Sequence, residues 1–239
     1  MSKFILILSI ISIKSNQVQT RIDRMQSCIM LCGYRKTGKD TLYKTLSSRT
    51  SNYKWCIMVD LTNLKHFDLT VNNPIRLGFA DAVKTESELK YGVPANLPDS
   101  EKEIRKYIHP DSQELVSARD CWIEMGDGMR LKDEDYWVNR VIEGMKETNG
   151  HVVITDWRYP NEYNKICAVF PDTPVTTIRL FRSSVPIPDK HISSERSLDD
   201  FMTDILLLSD SGSSSYENEF QEACKIFPQY KNYVTIGFL

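Results

Sequence analysis

A glycine-rich segment near the start of the chain constrains the fold more than any other stretch. It reads GYRKTGKDT over Gly33–Thr41 and follows a continuous apolar run, CIMLC, that ends at Cys32. Such a run is typical of a strand buried on both faces of a parallel sheet. After the segment, Leu42 and Leu46 are four residues apart, which is helical spacing. A strand, a glycine-rich loop and a helix in this order predict an α/β fold.

The loop matches the pattern G-x-x-x-x-G-K of phosphate-binding P-loops. Its glycines let the backbone approach phosphate oxygens closely, so that N–H groups and the N-terminus of the following helix face the negative charge. Lys39 is then expected to reach the β- and γ-phosphates of a nucleotide. The predicted nucleotide-binding residues are Gly33, Arg35, Lys36, Thr37, Gly38, Lys39, Asp40 and Thr41.

One position departs from this pattern. The residue after the lysine is Asp40, where a serine or threonine normally binds Mg²⁺, and Thr41 follows one place later. The change disfavours GTPases and motor ATPases, which depend on that hydroxyl, and the sequence contains no guanine-reading N-K-x-D. Small-molecule kinases tolerate it better, because water and phosphate oxygens supply much of their Mg²⁺ shell. Asp40 and Thr41 are candidate Mg²⁺ ligands.

A second signal is the segment VVITDWRYPNE, from Val152 to Glu162, in which charged side chains directly follow an apolar run. A carboxylate at the carboxyl end of a buried parallel strand lies at the mouth of the sheet, where ligands bind in α/β folds. Asp156 is therefore a candidate to order a Mg²⁺-bound water or to accept a proton. Arg158 is a candidate to clamp a phosphate with two donors. The alternative, an Asp–Arg pair that caps the next helix, stays open.

The remaining pattern predicts α/β architecture with a mainly parallel sheet flanked by helices. Short apolar runs predict strands over residues 55–61, 152–155, 175–181, 205–208 and, at an edge, 233–239. Helical patterns cover residues 81–91, 137–145 and 217–227. Residues 62–110 are more polar and are broken by prolines, so we predict that about 62–135 form an inserted helical lobe rather than sheet core.

Composition excludes some classes of function. The formal net charge is -2, which gives no electrostatic basis for binding nucleic acid or a membrane surface. The six cysteines form no C-x-x-C pair, which favours free thiols in a reducing, cytoplasmic setting over zinc ligands or disulfides. Residues 1–24 contain the apolar run FILILSIISI, too short to span a bilayer as a helix. We interpret them as an extension outside the fold, which occupies 25–239; a membrane-targeting role is the alternative.

Taken together, the motifs resemble those of the deoxynucleoside monophosphate kinases of tailed phages and large DNA viruses. GYRKTGKDT resembles that family's G-x-x-x-x-G-K-D-T loop, and VVITDWRYPNE resembles its strand followed by D-x-R-[FY]-P-N-E. Residues 79–84 are similar to its F-A-x-x-[LV]-K helix start, and residues 118–137 to a segment with two arginines, a central glycine and a tryptophan. Residues 178–195 resemble its strand, arginine and late H-x-S-E, but His191 and Glu195 are one residue too far apart, so their assignment stays open.

The resemblance implies a P-loop kinase fold and ATP- and Mg²⁺-dependent transfer to a deoxynucleoside monophosphate, with a small-molecule nucleotide as the partner and a homodimer left open. It implies that the loop holds ATP, that Arg158 holds the acceptor phosphate with Lys84 and Arg119 from the inserted lobe, and that Arg182 acts as a lid arginine. The candidate catalytic residues are Lys39, Asp156, Arg158 and Arg182; the candidate metal ligands are Asp40, Thr41 and, through water, Asp156. Two alternatives remain: a kinase for another phosphorylated metabolite such as phosphomevalonate, whose animal kinase resembles this fold and loop, and a non-catalytic nucleotide-binding module.

Overall fold

The computed structural model describes residues 25–48, 55–63, 69, 71–98, 100–189, 193–209 and 215–239. The predicted extension, residues 1–24, and His191 lie outside these ranges. The strands are β1 (Met25–Cys32), β2 (Trp55–Asp60), β3 (Ile75–Leu77), β4 (Lys106–Ile108), β5 (Leu115–Ser117), β6 (Gly150–Ile154), β7 (Val175–Phe181), β8 (Ile205–Ser209) and β9 (Tyr233–Phe238). The helices are α1 (Lys39–Ser48), α2 (Phe79–Tyr91), α3 (Ala118–Lys132), α4 (Tyr136–Lys146), α5 (Pro160–Val169), α6 (Ser193–Arg196) and α7 (Tyr216–Ile226), with short 3₁₀ helices at Leu61–Asn63 and Pro228–Tyr230.

Within the described residues, seven strands form one sheet in the order β3-β6-β1-β7-β8-β2-β9. The first five run parallel, whereas β2 pairs antiparallel with both β8 and β9. The prediction of an α/β fold with a mainly parallel sheet is therefore confirmed, and the C-terminal strand lies at an edge as predicted. Because five strands are parallel, their carboxyl ends meet along one edge of the sheet, and the loops that leave them lie close together.

Helices cover both faces of this sheet because the apolar residues of β1 alternate between two cores. Cys28, Met30 and Cys32 contribute to the core beneath α3, α4 and α5. Ile29 and Leu31 point the other way and pack with residues of α1. A third core joins α7 to the antiparallel end of the sheet. The near-continuous apolar sequence of β1 follows from this burial on both faces.

The prediction for residues 62–135 is wrong in one respect. Ile75–Leu77 forms β3, a parallel strand of the main sheet paired with β6, with Arg76 opposite Val153. Three residues are too few to show a periodicity, and this edge strand carries little buried apolar surface, so no strand pattern is visible in this part of the sequence. Residues 79–135 contain α2, the β4–β5 hairpin and α3, which lie outside the main sheet; we call them the helical segment.

Smaller differences concern element ends and the cysteines. β1 begins at Met25 rather than Cys28, because Met25 and Ser27 already pair with β6 across a register shift. All six cysteines are free, as predicted, and four of them are buried. No helix in the described part of the chain is both long and apolar enough to span a membrane.

Candidate active site

The loop between β1 and α1 is built around two glycines whose positions tolerate little else. Gly33 has a φ of +137°, and a Cβ placed on it would lie 2.5 Å from the carbonyl oxygen of Leu180 in β7. Gly38 has a φ of +101°, and its Cβ would lie 3.0 Å from the ring of Trp55. Left-handed backbone and close packing together require glycine at both positions. The loop is therefore held between β7 and the indole of Trp55.

Lys39, the first residue of α1, folds back over this loop. Its Nζ donates hydrogen bonds to the carbonyl oxygens of Gly33 at 2.6 Å and Tyr34 at 3.0 Å. Burial lowers the pKa of Lys39, and the charge of Arg158 acts in the same direction, while Glu195 opposes both. The ammonium group thus lies among the charged side chains that follow β6 and precede β8. An ammonium group has three donors, so two bonds to the loop leave one for an anion.

Arg158 follows β6 and meets Lys39 in a small cleft. Its Nη1 donates to the Glu195 carboxylate (Oε1) at 2.5 Å and to the carbonyl oxygen of Ser194 at 3.2 Å. The structure thus brings two predicted site residues together. The cleft is lined by Cys32, Gly33, Lys39, Trp157, Arg158, Arg179, Ser194, Glu195 and Leu198.

Glu195, whose assignment the sequence left open, bridges the two sides of the cleft. One carboxylate oxygen accepts from Arg158, and the other accepts from the backbone N–H of Arg35 in the loop at 3.1 Å. Its side chain is only 11% exposed, compared with 37% for Arg158. A carboxylate is therefore held between a backbone donor of the loop and the guanidinium after β6.

The turn that carries Arg158 is held by Glu162 from the first turn of α5. Glu162 Oε2 accepts from the backbone N–H of Arg158 at 3.0 Å and of Tyr159 at 3.1 Å. Its other oxygen accepts from Arg130 Nη2 of α3 at 3.0 Å, and the Arg130 guanidinium also stacks on the Tyr159 ring at 3.8 Å. Glu162 is 1% exposed, and burial raises its pKa to about 7. The backbone of the turn is thus tied to the helical segment.

Asp156 lies just past the carboxyl end of the parallel strand β6, as predicted, and its contacts there are with the start of a helix. Its two carboxylate oxygens accept the backbone N–H groups of Phe79 at 2.9 Å and Ala80 at 2.8 Å, so that it caps the N-terminus of α2. Burial raises the pKa of Asp156 although these donors oppose the shift. Asp156 does cap a helix, but one that precedes it in the chain rather than the next one, α5. Its partner there is a helix N-terminus, where negative charge is favoured.

A group of charged residues next to this cap was missed by the sequence analysis. Arg76, the middle residue of β3, donates to Asp81 at 2.7 Å. Burial alone would lower the pKa of Arg76, but the charges of Asp81, Asp156 and Asp40 raise it. The candidate metal ligands Asp40 and Asp156 therefore lie near the same cation. In the sequence, the available signal was Arg76 two residues before Gly78, the residue that precedes α2.

Two further arginines come from β7. Arg182, predicted as a lid residue, donates through Nη2 to the Ser209 hydroxyl at the end of β8 at 2.8 Å, so it lies at the same edge of the sheet as the glycine loop. Arg179, which the sequence analysis did not single out, lines the cleft and is 2% exposed. It donates to the Tyr230 hydroxyl at 2.9 Å and stacks on Phe227 at 4.4 Å. In the sequence, Arg179 stands out as a charged residue inside an otherwise apolar strand, and this was the signal that could have identified it.

Lys84 and Arg119 lie on the helical segment and are not among the residues that line the cleft. Lys84 of α2 sits over the ring of Trp122 at 5.4 Å from its centroid. Arg119, in the first turn of α3, forms an ion pair with Glu103 at 3.2 Å. Both have partners of their own, and their predicted role in binding an acceptor stays a prediction.

A group of possible metal ligands also lies in the helical segment. His109, Asp111 and Glu124 place one ligand atom each within 4.8 Å of one another. Both nitrogens of His109 are engaged, however. Nδ1 accepts from the backbone N–H groups of Asp111 and Ser112, and Nε2 lies 2.8 Å from Glu124. A neutral imidazole with both nitrogens in hydrogen bonds has no lone pair for a metal, so we interpret this group as a structural contact.

The cleft is suited to an anion, because three cations line it against one carboxylate: Lys39, Arg158 and Arg179 against Glu195. Such a site, built from side chains and loop N–H groups at the carboxyl ends of parallel strands, can bind and align phosphate groups. Comparison with models of known protein families gives no match, and comparison with curated proteins gives none either. We therefore infer function from the geometry of the cleft.

Proposed function

We propose that this chain is an ATP-dependent phosphotransferase of the P-loop kinase type that converts a deoxynucleoside monophosphate to the diphosphate. The observation that carries the proposal is the meeting of Lys39 and Arg158 in one cleft. Lys39 follows β1 and Arg158 follows β6, and these two strands are parallel neighbours. The proposed donor-side cation, Lys39, therefore lies beside the proposed acceptor-side cation, Arg158. The resemblance of the two motifs to those of viral and phage monophosphate kinases gives the substrate class.

Phosphoryl transfer requires little from the protein beyond alignment of the two phosphates and positive charge around them. An oxygen of the acceptor phosphate forms a bond to the γ-phosphorus of ATP, and the bond to the bridging oxygen breaks with its electron pair leaving on ADP. Lys39 offsets the charge that develops on the leaving phosphates, and Arg158 holds the acceptor. With a second phosphate pKa near 6, the attacking group is already largely dianionic at neutral pH. Asp156 therefore serves the reaction better as the cap that orients α2 than as a base.

The oxygen donors near the loop fit a Mg²⁺ ion held partly through water. Asp40 is exposed at the start of α1, and Thr41 follows it with a hydroxyl group. Both oxygens of Asp156 already accept backbone N–H groups, which leaves it the outer role of holding a metal-bound water. Mg²⁺, when bound, supplies charge neutralisation for the phosphates. Asp40, Thr41 and, through water, Asp156 are the residues that would hold it.

The anchoring of the helical segment at the edge of the sheet supports a role in binding the acceptor. Asp156 joins the start of α2 to the edge of the sheet, so Lys84, on the second turn of α2, lies within about 8 Å of that cap along the helix axis. Arg119 lies in the first turn of α3, whose Arg130 is tied to the turn of Arg158 through Glu162. The segment thus offers cations on helices that are themselves anchored beside the cleft.

The direct test is a panel of deoxy- and ribonucleoside monophosphates with MgATP, read by ADP release and by detection of the diphosphate. We expect transfer to at least one deoxynucleoside monophosphate and none with Lys39→Ala. Phosphomevalonate belongs in the panel, and transfer to it alone would favour the second metabolite class. Tight ATP binding without transfer to any acceptor would favour a non-catalytic nucleotide-binding module, and absence of ATP binding by calorimetry would overturn the proposal.

A further inference from the structure

The carboxylate of Glu195 has the contacts that a bound phosphate would make. It accepts one hydrogen bond from a loop backbone N–H, that of Arg35 at 3.1 Å, and one from the Arg158 guanidinium at 2.5 Å. Backbone N–H groups of a glycine loop and arginine forks are the two donor types that proteins use most for phosphate oxygens. Lys39 completes the positive surroundings, since Glu195 raises its pKa against the effect of burial. Two donors from distant segments thus converge on one carboxylate, and the charge of Lys39 lies close enough to act on it.

We propose that this position, between the loop and Arg158, is an anion subsite for a phosphate group, and that Glu195 is its internal occupant, which the phosphate displaces. The inference rests on the proposed function, because it assigns the phosphate-bearing ligand to the same cleft. It goes beyond that function in assigning Glu195. Since the subsite touches the loop on one side and Arg158 on the other, it lies where a phosphoryl group passes from donor to acceptor.

Displacement has a quantitative consequence. A ligand that must remove an internal occupant binds with its intrinsic affinity reduced by the fraction of protein in which the subsite is open. That factor is the same for every anion, whatever its charge, provided that the carboxylate leaves. If the carboxylate instead stayed beside the ligand, it would repel a dianion more than a monoanion. The two cases are therefore separable by comparing anions of one shape and different charge.

Sulfate and methanesulfonate are the matched probes, because both are tetrahedral but they carry two charges and one. Their binding to the full chain is measured by calorimetry at constant ionic strength. For Glu195→Gln we expect about tenfold tighter binding of each, by factors equal within about twofold, since the variant weakens charge-assisted hydrogen bonds worth about 1.5–3 kcal/mol. Glu217→Gln, which makes the same charge change on an exposed residue of α7, is the control and should leave both affinities unchanged.

Wild-type protein supplies a second measurement that does not depend on a variant folding. Glu195 is 11% exposed and should react slowly with a carbodiimide and an amine. Sulfate should increase the labelling of Glu195 severalfold, measured by peptide mass spectrometry, because displacement moves the carboxylate toward solvent. A structural ion pair that ligands do not displace would show unchanged or decreased labelling.

The results of these experiments distinguish the subsite proposal from the kinase proposal. Unchanged or weaker anion binding by Glu195→Gln, tightening for sulfate alone, or absence of saturable binding to any of the proteins would overturn the subsite assignment. Equal tightening together with increased labelling supports it even if no phosphoryl transfer is found, so that the kinase proposal can fail by itself. Conversely, if the protein transfers phosphoryl groups but Glu195→Gln does not change anion affinity, the kinase proposal is supported and the displacement of Glu195 is contradicted.

Discussion

The guanidinium of Arg130 lies 3.0 Å from the carboxylate of Glu162, and this pair links the helical segment to the turn that carries Arg158. Glu162 is nearly inaccessible, with 1% of its side chain exposed, against 19% for Arg130. A buried carboxylate is retained only when donors surround it, and here two backbone N–H groups and one guanidinium do so. The direction in which Arg158 leaves the turn thus depends on a residue of α3.

This relationship gives a stability prediction with a defined pH dependence. Burial raises the pKa of Glu162 from its ordinary value of 4.5 to about 7. The folded chain therefore binds more protons than the unfolded chain between these values, and the free energy of unfolding falls as pH rises through this window. Glu162→Gln removes this dependence, so its unfolding free energy should change less between pH 5 and pH 8 than that of the wild type.

The same variant also replaces one carboxyl oxygen with an amide NH₂ group, which cannot accept from Arg130 or from the turn, and we expect the lost charge-assisted hydrogen bonding to cost about 1.5–3 kcal/mol. The deficit should be larger at pH 5 than at pH 8, as measured by urea denaturation at both values. Glu147→Gln, an exposed position after α4, is the control and should follow the wild type at both values. Parallel pH curves for wild type and Glu162→Gln would contradict the raised pKa.

Lys39→Ala should abolish detectable phosphoryl transfer while the protein remains folded. Lys39 is the cation that folds back over the loop into the cleft, and its ammonium group donates to two carbonyl oxygens there, so Lys39→Ala removes charge from the cleft without deleting an apolar core side chain. The measurements are ADP release and thermal unfolding. Lys44→Ala, on the exposed face of α1, is the control and should keep full activity. Full turnover by Lys39→Ala would remove the kinase assignment.

Arg158→Ala should raise the KM for the acceptor, lower kcat, and leave the KM for ATP nearly unchanged. Loss of a charge-assisted contact to a phosphate costs on the order of 3 kcal/mol, or about two decades in kcat/KM. Lysine should restore activity only in part, because a point charge cannot reproduce the planar fork. Arg105→Ala, which removes an exposed arginine of the helical segment, serves as the control. A variant impaired toward ATP but normal toward the monophosphate would place Arg158 on the donor side.

Gly33→Ala should destabilise the fold, whereas Gly128→Ala should not. A Cβ on Gly33 would lie 2.5 Å from a backbone oxygen of β7, in a left-handed conformation, so we expect a loss of about 3 kcal/mol or more. Gly128 lies inside α3 with no heavy atom within 4 Å of its Cβ position, and alanine there should stabilise by about 0.5–1 kcal/mol. Chemical denaturation of both variants measures the contrast. Equal effects would show that the loop tolerates a side chain.

Local features of this molecule could be predicted from the sequence. Features that depend on contacts between distant segments could not. The buried strands, the loop between β1 and α1 and the arginine after β6 were predicted, because apolar runs and glycine spacing are visible within a few residues. The helical pattern over residues 137–145 begins at Trp137, which is 1% exposed and donates its indole N–H to the carbonyl oxygen of Gly126. The order of Lys39 and Arg158 at one edge followed from parallel strands alone.

The unpredicted contacts each join segments far apart in the chain. Glu195 and Arg158 are 37 residues apart, and Asp156 caps a helix start 77 residues earlier. The second contact exists only because β3 lies beside β6, and β3 itself has three residues with no periodic pattern. The partner of a charged residue depends on strand order, which local spacing does not encode. The same reason explains why Arg76 and Arg179 were not identified as neighbours of the site.

The ring of Trp55 beneath Gly38 gives the loop an optical reporter of its own. An indole in van der Waals contact with the backbone that would enclose phosphates changes its emission when that backbone shifts. Trp157 lines the cleft itself, whereas Trp137 is enclosed in the core and Trp122 belongs to the helical segment. Replacing Trp157 with phenylalanine would therefore leave Trp55 as the fluorophore next to the loop. Titrations of nucleotide or anion can then be followed by the intrinsic fluorescence of unlabelled protein, in real time and at low concentration.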